Sequence, residues 1–220
     1  SFQYEPIAAS LDYEQQLSGE ELALIADIGG GTSDFSIVRL GPERAKKTER
    51  VADVLANDGV RIGGTDFDRH LSLGTVMPLL GFRSKLARGE LDVPSVYYHD
   101  LATWSAINRL YEPRVHRELV DLEKRAAEPE LIHRLMRVVD DERGHTLAID
   151  VEAAKISVAD HGAVNVPFDW LERGLSTDID HSELVRHTGE LASRIGARVD
   201  ACLEMAGVAA TDIDAVFLTG

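Results

Sequence analysis

Three consecutive glycines stand between two apolar runs and are bracketed by acids, in the order Asp27-Ile28-Gly29-Gly30-Gly31-Thr32-Ser33-Asp34. Residues 22–28 form a short, nearly continuous apolar run, the pattern of a central strand covered on both faces. Residues 35–40 read as a second strand, so the glycine run makes a hairpin-like turn. Glycine permits φ > 0 and lets backbone come close to a ligand. Successive backbone N–H groups in such a turn form a nest for an anion, and Thr32 adds a hydroxyl donor. Asp27, at the end of a buried strand, suits a carboxylate that holds a water of hydrated Mg²⁺, an ion that keeps several waters and takes few carboxylates. Asp34 can do the same from the other side. A plain glycine hairpin is the competing reading. It needs fewer than three glycines, and two acids flanking apolar strands are costly to desolvate without a cation.

The formal net charge of −15 argues against a nucleic-acid or anionic-membrane partner, since both require clustered Lys and Arg. The lone cysteine, Cys202, excludes an internal disulfide and fits a reducing, cytoplasmic setting. No apolar run approaches the ~18 residues that suit a bilayer span.

Along the chain, Pro6 can open a short helix over 7–13. Residues 51–56 read as a third strand, followed by Asn57-Asp58-Gly59 as a loop. Thr65 with Asp68 resembles a capping box, with a helix over 66–78, and 81–94 reads as loop. Helical periodicity then recurs in Val115, Leu119, Leu122 and Ala126, in Leu131, Leu135 and Val138, and in Leu147, Val151 and Ala154. Strands are expected near 163–168 and 171–176. Leu184, Thr188, Leu191, Ile195, Val199 and Cys202 line one face of a long helix ending near Gly207, and 213–218 is a last strand. The expected organisation is an α/β subdomain from 1–64 and 157–220, with an α-rich subdomain inserted over 65–156.

Three further groups of residues can carry chemistry. Gly63-Gly64-Thr65-Asp66-Phe67-Asp68 begins a helix, either as an anion site or as an ordinary capped start. Glu152 and Lys155 share a helix face, either reaching one ligand or forming a solvated ion pair. Glu5 precedes Pro6 near a helix N-terminus, where the helix dipole alone accounts for a carboxylate. The eight histidines show no metal-ligand spacing and read as surface residues; Cys202 reads as core.

Taken together and in this order, these motifs resemble the ATPase domain of the heat shock protein 70 family. They are Glu5-Pro6-x-Ala8-Ala9, Asp27 to Asp34, Ile62-Gly63-Gly64-x-Asp66-Phe67-Asp68, Glu152-x-Ala154-Lys155 and Val216-Phe217-Leu218-Thr219-Gly220. Met77-Pro78-Leu79-Leu80-Gly81 and Ala127-x-Pro129 look closest to divergent bacterial YegD-type members. The resemblance implies an actin-like, ribonuclease-H-like α/β ATPase fold with ATP or ADP and Mg²⁺ as cofactors. It implies Glu5 near the metal and the attacking water, with Asp27 holding the metal through water. Gly29, Gly30, Gly31 and Thr32 would contact phosphates; Gly63, Gly64 and Gly220 would lie near the nucleotide. Glu152 and Lys155 would flank the adenosine. Unfolded polypeptides or co-chaperones would be partners of the full-length protein.

The chain departs from that pattern at Ile156, where the family often has Arg, at Ala159 in place of Ser, and at Thr65 in place of Glu. These bear on base preference and affinity. The comparison also implies one lobe of a two-lobed ATPase, expected not to hydrolyse ATP by itself. A bacterial actin-like filament ATPase, an exopolyphosphatase-like enzyme and a non-catalytic nucleotide-binding module are the alternative readings.

Overall fold

The computed structural model describes residues 10, 12–89 and 91–220. Glu5, Pro6, Ala8, Ala9 and the beginning of the expected helix 7–13 lie outside the described residues. The chain divides into two compact units, one of Ser1–Asp66 with Glu190–Gly220 and one of Phe67–Gly189.

The first unit is a four-stranded mixed sheet. Strands β1 (Glu21–Ile28), β2 (Ser33–Leu40), β3 (Val54–Val60) and β6 (Ala215–Thr219) lie in the order β3-β2-β1-β6. β1 pairs antiparallel with β2 and parallel with β6; β2 pairs antiparallel with β3. The continuous apolar character of β1 has a direct cause, because both faces of the sheet are covered. Ala23, Ile25, Val38 and Leu40 pack on one face with Tyr13, Leu17 and Phe217. Ala26, Phe35 and Ile37 pack on the other with Ile195, Val199, Cys202 and Leu203 from helix α7 (His181–Ala206). Cys202 is a core residue, its thiol donating to the Phe35 carbonyl at 3.5 Å. The helix closes with Gly207 at φ 69°, where the Gly207 and Val208 N–H groups return to the Glu204 and Leu203 carbonyls, a Schellman ending.

A buried ionic network fastens one end of this sheet. Arg50 donates two parallel hydrogen bonds to Glu14, at 2.8 and 2.9 Å. Both Arg50 and Arg44, the latter on the short helix α1 (Pro42–Ala45), bond Asp53, and Arg44 also reaches Glu20. The Asp53 side chain is 3% exposed. Its position corrects the expected strand over 51–56: Val51–Asp53 is a 3-10 turn that delivers the carboxylate to the two guanidiniums, and β3 begins at Val54. β3 then continues through Asn57, Asp58 and Gly59, expected as loop, since cross-strand pairing with Ser36, Phe35 and Asp34 overrides their turn preference.

The second unit is mainly helical. It contains the remainder of α2 (Gly64–Thr75), then α3 (Val96–Leu101), α4 (Pro113–Glu123), α5 (Pro129–Asp140) and α6 (Gly144–His161), and the hairpin of β4 (Ala163–Pro167) with β5 (Ser176–Asp180). Most of the periodic residues expected to face a core do so: Leu119, Leu122, Ala126, Leu135, Val138, Leu147, Val151 and Ala154 are buried, whereas Val115 and Leu131 are only half-buried. α2 stops at Thr75, short of the expected 78, and a 3-10 turn at Met77–Leu80 ends on Gly81 with φ 100°. β5 lies later than the expected 171–176, because Leu171 is drawn into the core and Gly174, at φ 77°, turns the chain before the strand. Residues 157–189, assigned from sequence to the α/β subdomain, fall within this unit: Val158, Val166, Phe168, Leu171 and Ile179 all belong to its core. Among the described residues no helix is long and apolar enough to cross a membrane.

The network makes stability depend on pH in a defined direction. Burial works against the ionised Asp53, but hydrogen bonds and charge from Arg50 and Arg44 more than offset it and hold the carboxyl below its usual range. A carboxyl with a depressed folded pKa contributes stability above its unfolded pKa, near 3.9, and loses it as pH falls through the lower folded value. Urea unfolding followed between pH 6 and pH 2 is expected to show the midpoint dropping below about pH 4. Asp53→Asn is expected to flatten that fall. At pH 7 it should cost about 3 kcal/mol, because it leaves buried guanidinium charge short of a partner.

Candidate functional site

The turn between β1 and β2 is braced by the segment that follows β3. Gly29 N–H donates to the Thr32 carbonyl at 2.9 Å and closes the turn. The turn's outward carbonyls are then taken up by the second glycine motif. Gly64 N–H bonds the Gly29 carbonyl at 3.0 Å and Thr65 N–H bonds the Gly30 carbonyl at 2.9 Å. The Thr65 hydroxyl donates to that same Gly30 oxygen at 2.6 Å. Below it, buried Ser33 donates its hydroxyl to the Ile62 carbonyl at 2.7 Å. Gly29, Gly30, Gly31, Thr32, Gly63 and Gly64, expected to act together, are therefore brought together within one unit.

Gly63 is held there by close contact. A Cβ at this position would overlap the Gly31 nitrogen and come within 2.5 Å of the Gly29 carbonyl oxygen. The three turn glycines are different. None has φ in the left-handed region, which corrects the expectation that the turn needs φ > 0. A Cβ on Gly29 or Gly30 would find its nearest neighbour at 3.7 or 3.9 Å, and one on Gly31 would meet nothing within 4 Å. The fold itself therefore gives no steric reason for three glycines. Among the described residues the N–H groups of Gly30, Gly31 and Thr32 have no hydrogen-bond acceptor. Gly30, Gly31 and Thr32 are exposed. The result is a rigid turn whose carbonyls are satisfied, whose donors are unspent, and whose surface lacks side chains.

Asp27 and Asp34 are cross-strand partners at the mouth of the turn, so their carboxylates share one sheet face. Asp34 in turn pairs with Gly59, and Asp27 with Thr219. Gly59 has a reason to be glycine, since an added Cβ would collide with the Asp34 carboxylate. Gly220, at φ 120°, lies against the Ile28 carbonyl, and a Cβ there would stand 3.1 Å from Asp27 Oδ1. Like charges directly opposite are unfavourable, and among the described residues neither acid has an ion-pair partner. Among the described residues no group of three or more His, Cys, Asp or Glu side chains could hold a metal. Two carboxylates beside a nest of N–H donors fit a hydrated Mg²⁺ arriving with a phosphate, an ion that takes few direct protein ligands.

The helix start differs from the expected Thr65–Asp68 capping box. Asp66 caps instead, its carboxylate accepting from Gly63 N–H at 3.0 Å. Thr65 is spent on the turn, and Asp68 pairs with Lys155 Nζ at 2.7 Å within the helical unit. Lys155 and Glu152 thus do not form the simple ion pair that their spacing allowed; Glu152 is exposed. Sequence reasoning missed Asp68 as a partner of Lys155, because the two are far apart in the chain and Asp68 was accounted for as a cap. It also missed Ser33, whose hydroxyl supports the turn from beneath.

No family model matches the chain. It is 26% identical over 221 aligned positions, 98% of its length, to the chaperone protein DnaK of Trichormus variabilis, and spans 24% of that protein. It is 34% identical over 136 residues, 52% of its length, to a chaperone protein HscA homolog of Pseudomonas putida, spanning 21% of it. Over 68 residues it is 43% identical to a chaperone protein dnaK of Emiliania huxleyi, covering 30% of this chain and 10% of the relative. The chain therefore has homologues in the heat shock protein 70 family at modest identity, and spans a quarter or less of these relatives' length. The mixed α/β architecture with its mixed sheet is consistent with the actin-like ATPase fold of that family.

The contrast between the glycines is testable by stability alone. Gly63→Ala is expected to cost about 1–3 kcal/mol by forcing the turn away from the helix start. Gly31→Ala is expected to stay within about 0.5 kcal/mol of the parent. Urea denaturation of the two variants in parallel provides the check, and equal effects would contradict the packing described above.

Proposed function

We propose that the Gly29–Thr32 turn binds the phosphates of Mg²⁺-ATP or Mg²⁺-ADP, and that the chain is a nucleotide-binding part of a chaperone-type ATPase. The observation that carries the proposal is the turn itself: three glycines for which the fold has no steric need, with carbonyls tied down and N–H donors unspent. A phosphate satisfies that arrangement, because it accepts several N–H bonds at once and approaches closer than any Cβ would permit. Preorganised donors of this kind are the main contribution a protein makes to phosphoryl transfer, which depends on positioning and charge stabilisation.

In this reading Thr32 adds its hydroxyl to the phosphate contacts, and Gly63 and Gly64 keep the turn in shape. Asp27, with Asp34, holds waters of the Mg²⁺, whose chemistry is to neutralise charge on the phosphate oxygens. Gly220 brings backbone close beside Asp27. Glu5 retains the role near the attacking water that the resemblance implies. Glu152 and Lys155 are proposed adenosine contacts, on the strength of their motif and of the exposure of Glu152. Ile156, 53% exposed on the same helix, offers the base an aliphatic surface without a charged hydrogen-bonding group. Kinship with YegD-type members, a cytoplasmic setting and unfolded polypeptides or co-chaperones as partners belong to the same proposal. The names of the DnaK and HscA relatives support the chaperone part of it.

Calorimetric titration with Mg²⁺-ADP and Mg²⁺-ATP tests the reading. The parent protein is expected to bind, and Asp27→Ala to weaken binding at least about tenfold, equivalent to about 1.4 kcal/mol. Gly31→Ala is expected to weaken it as much while leaving the urea midpoint in place. Affinity unchanged by both substitutions would place any nucleotide elsewhere.

A further inference from the structure

Asp27, Asp34 and Gly59 are neighbours on three adjacent strands, β1, β2 and β3, and share one face of the sheet. Gly59 stands in the body of a strand, where glycine contributes no packing and marks a close approach. Its backbone does not call for it, because its φ lies outside the left-handed region. A Cβ at this position would overlap Asp34 Oδ1, while its next neighbours, Asp34 Cγ and the Ser33 carbonyl oxygen, would both be at 3.3 Å. The glycine is therefore required by the Asp34 carboxylate, which lies over β3. The Gly59 N–H donates to Asp58 Oδ1 at 2.8 Å, and among the described residues the Asp34 carboxylate has no hydrogen bond and no ion pair to hold it there. On the other side of the pair, Asp27 Oδ1 lies toward Gly220, 3.1 Å from where a Cβ would stand. The two carboxylates thus lean outward from each other, each toward a glycine. Repulsion between like charges favours that separation. Yet Asp34 is exposed and has water to lean into, so repulsion alone does not require a glycine on β3.

We propose that Gly59 is a specificity-determining residue for the cation of this site. With no side chain at 59, the Asp34 carboxylate stays back over β3, and the gap between it and Asp27 suits a cation that keeps its water shell. Mg²⁺ is such an ion and meets the two acids through its waters, whereas Ca²⁺ takes carboxylate oxygens directly. A side chain at 59 drives Asp34 off β3 toward Asp27 and makes a tighter pair, suited to direct ligation. This rests on the reading of the Gly29–Thr32 turn as a site for Mg²⁺-bound phosphates, and every residue it uses belongs to the α/β unit.

The test is calorimetric titration with ADP in the presence of Mg²⁺, of Ca²⁺ or of neither, across the parent, Gly59→Ala, Asp34→Glu, Asp34→Ala and the double variant Gly59→Ala with Asp34→Ala. The nucleotide is the same in every arm, so the ratio of its affinities with Mg²⁺ and with Ca²⁺ reports the cation alone. The parent is expected to favour Mg²⁺, and Gly59→Ala to shift the ratio toward Ca²⁺ at least about fivefold. Asp34→Glu, whose longer side chain reaches toward Asp27 with β3 unaltered, is expected to shift it the same way, and it decides the matter if Gly59→Ala does not fold. In the Asp34→Ala background Gly59→Ala is expected to change the ratio no further, since the two residues act as one unit. The proposal is overturned if the parent binds ADP equally with the two cations, or if Asp34→Glu leaves the ratio in place. It is equally overturned if Gly59→Ala weakens ADP with both cations alike, the mark of a purely structural role, or shifts the ratio without the Asp34 carboxylate. A parent whose ADP affinity neither cation changes overturns the metal reading of Asp27 and Asp34, and this inference with it. A parent that does not bind ADP overturns the nucleotide reading itself.

Discussion

The α/β unit depends on one close approach, that of Gly63 to the turn above it. Because residue 63 has no Cβ, the chain leaving β3 can pass directly beneath Gly29–Gly31 and present Gly64 and Thr65 to the carbonyls of Gly29 and Gly30. The same step starts helix α2, since Asp66 reaches back to the Gly63 N–H. One glycine therefore couples a helix start to a hairpin turn that is distant in the chain, with Thr65 and Gly30 35 residues apart, but adjacent in space. The turn owes its shape to three hydrogen bonds onto its carbonyls and not to left-handed backbone. A turn braced this way keeps its free N–H groups aligned without a ligand, so no reorganisation is required when an anion arrives.

The treatment of charge in the same sheet supports this view of the site. Where the fold buries a carboxylate for its own stability it supplies cations: Asp53 has Arg44 and Arg50, and Glu14 has both donors of Arg50. Asp27 and Asp34 are opposite each other on adjacent strands, and among the described residues no cation accompanies them. A sheet selected only for stability has no use for such a pair. Their proximity becomes intelligible if a metal ion carried by a phosphate is the missing positive partner.

What could be read from the sequence was what local patterns encode. The run over 22–28, the spacing of Ile195, Val199 and Cys202, and Gly207 as a helix end are signals within one element, and each lies where it was expected. The two glycine motifs lie together because the chain leaves β3 at the same end of the sheet as the β1–β2 turn, where Ser33 pairs with both Ile28 and Val60. What could not be read was set by pairing across the chain. Asn57, Asp58 and Gly59 look like a turn until β2 lies alongside them. The hairpin of β4 and β5 looks like part of the terminal sheet until Phe168 and Leu171 are seen in the helical core.

Asp68 shows the same limit at the scale of a single side chain. Its position three residues after Thr65 has an adequate local explanation as a cap, and that explanation is displaced only because two better partners exist. Asp66 accepts from the Gly63 N–H and the turn carbonyls accept from the Gly64 and Thr65 N–H groups, which leaves the Thr65 hydroxyl to the turn and Asp68 to Lys155. Three polar residues in one short motif thus serve three different ends. The division follows from geometry: Gly63 must be glycine to pass under the turn, so the cap falls to Asp66, and the next acid on the helix is left to bind a lysine.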